Sequence, residues 1–144
     1  MGASVTAYWP GITEEQLESQ PGFYNDCHSW GNFMAERESE LQVLDAIRKL
    51  KADAILTFIT DGLKDEDVRW VSPQELREAA ARLRDAVRAD RPEARPILET
   101  YARNAINEDD SVAAEFVQDL DDIEALATWA EEEGATRMTL EVNW

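Results

Sequence analysis

Two hydrophobic periods alternate along this chain. Near its ends the period is two. In SVTAYW, Val5, Ala7 and Trp9 alternate with Ser4, Thr6 and Tyr8, as on a strand with one buried face. In RMTLEVNW, Met138, Leu140, Val142 and Trp144 alternate with Arg137, Thr139, Glu141 and Asn143. ADAILTFIT carries apolar residues on both phases (Ile55, Leu56, Phe58, Ile59), which predicts a central strand covered on both faces. SVAAEFVQ alternates weakly and completes a set of four strand candidates.

Between them the period is helical. ITEEQL opens on a capping box, with Thr13 as cap, Gln16 at the third helical position and Ile12 set to staple onto Leu17. VSPQEL repeats the signal with Ser72, Pro73 at the first helical position and Glu75, and with Val71 set against Leu76. A long helix is predicted over Trp30 to Leu50, with Leu41, Leu44 and Ile47 buried and Val43 and Leu50 flanking them. Leu76, Ala79, Ala80, Leu83 and Val87 face inward on the next helix, while Arg77, Arg84 and Arg88 ride outside. RPEARP reads as a turn, Ile97 to Ile106 as a helix, and Asp121 to Glu133 as a helix capped by Asp121 and stopped at Gly134. The whole predicts a single globular α+β domain over residues 1–144. Its mixed or antiparallel sheet would have about four strands, packed with about five helices.

Charge changes this picture most. Thirty-one acids face fourteen bases, for a formal net charge of −17. Residues 108–144 hold twelve acids against the single base Arg137, whereas eight of the eleven arginines fall between Arg69 and Arg103. A field of this sign repels nucleic acid and anionic membranes and attracts cationic proteins. One cysteine fits a reducing compartment. No apolar run is long enough to cross a bilayer, and the first residues do not read as a signal peptide. MGASVT matches the loose myristoylation pattern, but it reads better as the start of a strand. A cytoplasmic location is expected.

Catalytic chemistry finds little support. Cys27 and His28, the only cysteine and the only histidine, are neighbours. Adjacent side chains diverge on a helix or a strand, so they make a poor nucleophile–base pair. They also supply too few ligands for zinc. No phosphate-binding glycine loop, nucleophile elbow or calcium loop is present. The expectation is a non-enzyme with no cofactor and no metal.

What remains is PGFYNDCHSWGNF, residues 21–33, where aromatics sit among Asn, Asp, Ser and Gly as they do in recognition loops. Candidate partner-binding residues are Phe23, Tyr24, Asp26, His28 and Trp30 here, Glu36 and Arg37 just beyond, and Tyr8 on the polar face of the first strand. Acids beside aromatics suit an arginine-rich partner. The reading is a small acidic binding protein that blocks a basic protein partner, a toxin for example. In this it resembles immunity proteins that cover the active site of toxin nucleases; the resemblance is one of type, carried by size, acidity and the lack of catalytic motifs. Two other readings fit the same residues. One is a small-ligand protein or enzyme with a pocket formed by His28, Trp30, Phe33 and Arg37; the other is an accessory domain that self-associates, for instance as a homodimer.

Overall fold

A computed structural model describes residues 4–22, 41–57, 68–103 and 112–143. Its elements are strand β1 (Ser4–Tyr8), helices α1 (Glu14–Glu18), α2 (Leu41–Lys49), α3 (Pro73–Arg88), α4 (Ala94–Arg103) and α5 (Val112–Glu132), and strand β2 (Thr139–Asn143). A single 3-10 turn, Asp53–Leu56, follows α2. The fold is mostly helical. Among the described residues the sheet has two antiparallel strands, Ser4 opposite Asn143 through Tyr8 opposite Thr139, and the expected four-stranded sheet is not there.

Both missing strands have a local cause. In ADAILTFIT, Asp53–Leu56 coils because α2 ends in a 6→1 closure: the Ala52 N–H donates to the Ile47 carbonyl, with Lys51 left-handed at φ 57°. The chain leaves that closure already bent, and the Ile55 N–H bonds back to the Ala52 carbonyl. Phe58 and Ile59 lie outside the described residues. Val112–Gln118 of SVAAEFVQ is instead the start of α5, where Phe116, Leu120 and Ile123 repeat at helical spacing and are fully buried. Its weak alternation was a helical phase sampled over too few residues. Asp121 therefore lies inside a helix of 21 residues and caps nothing.

The end strands and the caps at Thr13 and Ser72 agree with the pattern. Val5, Ala7 and Trp9 are buried, as are Met138 and Leu140. Thr13 and Ser72 each close a complete capping box, with Pro73 at the head of α3. Gly134, at φ 97°, ends α5 through a bond from the Ala135 N–H to the Ala130 carbonyl. Part of RPEARP is already α4, and Pro96 is tolerated in its first turn because no intrahelical acceptor awaits an N–H there. The buried side of α2 is Val43, Ala46, Ile47 and Leu50, with Leu44 only half-buried, so the stripe is rotated from the expected one.

The most extensive contact is α3 against α5. Ala79, Ala80, Leu83 and Ala86 meet a stripe that includes Leu120, Ile123, Ala127 and Ala130, all buried, and the small residues let the backbones approach. Arg77 bonds Glu131 at 2.9 Å, while Arg84 bonds Asp121 at 2.8 Å. As the number rises along α3 it falls along α5, so the helices run antiparallel. Glu124 Oε1 lies 2.7 Å from the same Arg84 nitrogen, as a Coulombic contact more than a directed hydrogen bond. These two arginines turn inward across the helix pair, not out to solvent as expected, and neutralise acids of the acid-rich C-terminal quarter. The Asp121 bond holds the Arg84 guanidinium more firmly charged than usual.

A polar pair is sealed between α4 and α5. The Tyr101 hydroxyl donates to Asp119 Oδ2 at 2.6 Å between α4 and α5, and both residues are fully buried. Phe116 meets the Tyr101 ring edge-on at 5.0 Å. At the other end of α5, Trp129 lies 5.5 Å from Trp9 and joins the helix to the end of β1.

Candidate functional site

Of the eight partner-binding candidates, the described residues include only Tyr8. Phe23, Tyr24, Asp26, His28, Trp30, Glu36 and Arg37 lie outside them, as do Cys27 and the pocket expected around Trp30 and Arg37. Tyr8 is half-buried on the outer face of the sheet. Its ring stacks on Trp70 at 6.1 Å, and the Arg137 guanidinium lies 5.0 Å from the same indole. This cation–π contact is internal to the chain and differs from the one expected with an arginine-rich partner.

Trp70 is set by its neighbours. Val71 and Met138 exchange two backbone hydrogen bonds, so this short extended segment lies along the start of β2. Beneath it, Thr57 Oγ1 lies 2.6 Å from the Arg69 carbonyl and 2.7 Å from Thr139 Oγ1. A hydroxyl has one proton, so Thr57 gives it to the carbonyl and accepts that of Thr139. Buried Thr57 and Thr139 thereby pin the Arg69–Val71 backbone to the sheet.

Trp70 walls a cleft of about 380 Å³ between this segment, the end of α2 and the first half of α3. Three cations reach it from three elements: Lys51, Arg69 and Arg82. Three carboxylates share it: Asp53, Glu75 and Glu78. The Arg82 guanidinium donates to the Lys51 carbonyl at 2.8 Å and braces the left-handed turn. Glu75 is held by the Ser72 N–H in the capping box, and Glu78 accepts from Gln74 at 2.9 Å. The balance of charge here contrasts with the chain's −17. The cleft thus presents cationic donors and carboxylate acceptors side by side. The legible signal was a tryptophan flanked by basic and apolar residues directly before a helix cap.

A second feature lies where α1 meets the end of α5. Gln16 donates to the Glu133 carbonyl at 3.4 Å. That contact brings exposed Glu14, Glu15 and Glu18 towards exposed Glu132 and Glu133, and none of the five forms an ion pair among the described residues. Leu17, on α1, is 40% exposed and is the one large hydrophobic exposed among the described residues. The expected staple on Ile12 leaves it open to solvent, while Ile12 packs on the core.

Among the described residues no group of three or more His, Cys, Asp or Glu side chains could hold a metal ion. None of the described helices is long and apolar enough to cross a membrane. No family model, curated protein or solved structure matches this chain.

Proposed function

We propose that this protein is a small, non-catalytic binding protein of the immunity type, acting in the cytoplasm by occluding a basic protein partner such as a toxin nuclease. The observation that carries the reading is the acidic end, where α1, with exposed Glu14, Glu15, Glu18 and Leu17, is joined through Gln16 to the close of α5 and its exposed Glu132 and Glu133. An apolar anchor inside a charged rim is the arrangement from which protein interfaces draw affinity and rate: the anchor fills a pocket, and the rim steers encounter. The opposing charge on the partner must be cationic, and the chain's net −17 extends the attraction beyond the contact.

The test is capture of binding proteins at low and high salt, followed by an inhibition assay on whatever activity the captured protein has. A basic protein that binds at low salt, is released as salt screens the charges, and is inhibited at one-to-one stoichiometry supports the proposal. The variant carrying Glu14→Lys, Glu15→Lys and Glu18→Lys should lose capture while keeping its circular dichroism. Equal capture by that variant, or binding without inhibition, would sink the idea.

A further inference from the structure

The cleft beside Trp70 is separate from the acidic end, and the occlusion reading does not use it. Its size, about 380 Å³, is that of a small organic ligand and exceeds what a bare oxyanion fills. Lys51 and Arg69 form no ion pair among the described residues, although the chain carries more than twice as many acids as bases. Arg82 gives one nitrogen to the Lys51 carbonyl and retains further N–H donors. Cations converging from the turn after α2, from α3 and from the Arg69 segment suit a doubly charged anion better than a single carboxylate. The carboxylates limit the choice. With Asp53, Glu75 and Glu78 in the same walls, a bare anion meets attraction and repulsion together. A ligand that also carries hydroxyl donors satisfies both sets, because a carboxylate accepts from hydroxyls while guanidinium and ammonium groups take the anion.

We propose that this cleft binds the phosphate monoester of a polyhydroxylated small molecule, its phosphate on Lys51, Arg69 and Arg82 and its hydroxyls on the carboxylate wall. The scaffold is set before any ligand arrives. Arg82 braces the end of α2, Thr57 and Thr139 hold the Arg69 backbone, and the capping box fixes the first turn of α3. Such prior ordering reduces the entropy lost on binding.

The shared chemistry, a ribose-type phosphate, is offered by both sugar phosphates and mononucleotides. The experiment is an NMR titration of the isotope-labelled full chain with ribose phosphate, adenosine monophosphate, free ribose and inorganic phosphate. Ribose phosphate and the nucleotide should shift the Trp70 indole signal and the backbone signals of Lys51 and Arg82, with a Kd of about 1 mM or tighter. Free ribose and inorganic phosphate should each bind at least about tenfold more weakly, since each engages only half the groups. A nucleotide tighter than ribose phosphate points to the nucleotide source, with the base against Trp70; equal affinity points to the sugar phosphate. Arg69→Gln and Lys51→Gly should each weaken binding about tenfold. Lys51→Gly suits the left-handed backbone, so it removes the ammonium without disturbing the turn. Inorganic phosphate binding as well as either ester, no saturable shift at the cleft, or unchanged affinity in the folded variants would overturn the proposal.

Discussion

Helix α5 meets α3 along one side and α4 along another, and the two contacts are made of different chemistry. Towards α3 the buried surface is apolar, much of it alanine, and the charges stay at the rim as Arg77–Glu131 and Arg84–Asp121 pairs. Towards α4 a polar pair, Tyr101 and Asp119, is sealed within the contact. Rim pairs are solvated and individually weak, whereas a buried hydrogen bond to a charged group is costly to break. The first contact should therefore depend on shape, and the second on the Tyr101 hydroxyl and the proton that lets it donate.

The largest effect should come from Phe116→Ala, which opens a hole beside Tyr101; urea denaturation should show a loss of about 3 to 5 kcal/mol. Tyr101→Phe removes the donor to Asp119 and keeps the ring, and should cost about 1 to 3 kcal/mol by the same measurement. That variant also separates the two contacts by pH. Burial first, then the charge of Asp119, pushes the Tyr101 phenol well above its ordinary 10.0. The folded state therefore keeps a proton that the unfolded chain releases. Its contribution is complete below pH 10.0 and declines as pH rises from there towards the folded value. The wild type should lose stability above pH 10.0 faster than Tyr101→Phe; parallel curves would break the contrast.

Smaller effects belong to the α3 side. Arg84→Ala should cost no more than about 1 kcal/mol, and less at high salt, because its partners are partly exposed. Asp90 ends α3 in the left-handed region at φ 51°, where a side chain is strained. Asp90→Gly should raise stability by up to about 1 kcal/mol while leaving the alkaline response unchanged. A change in that response would mean the two sides of α5 are coupled.

The sequence made the helix starts legible because caps are written in three or four adjacent residues, as Thr13–Gln16 and Ser72–Glu75 show. The end strands were legible for a similar reason, since an alternation of five residues is read without knowing its partner. What failed was the choice between strand and helix for short apolar runs. Ala52–Thr57 was bent by the end of the preceding helix, and Val112–Gln118 belongs to a phase that shows only over the full length of α5. The candidate site was legible only in kind. Acidity and aromatics stood out, but the cleft depends on Lys51, Trp70 and Arg82, which are distant in sequence and brought together by the closure of α2 and the Val71–Met138 bridge. Pairwise closures of that kind leave no local pattern.

The carboxamide of Gln20 takes the N–H of Ala7 at 2.7 Å and donates to its carbonyl at 2.9 Å. Both groups point away from β2, so one side chain does there what a third strand would do. An open β margin is a template on which further chains add and fibrils grow. Gln20 follows directly after α1, so loosening that short helix would bare the margin as well. Among the described residues, cover of that margin at Ala7 comes from the single amide that trails this five-residue helix.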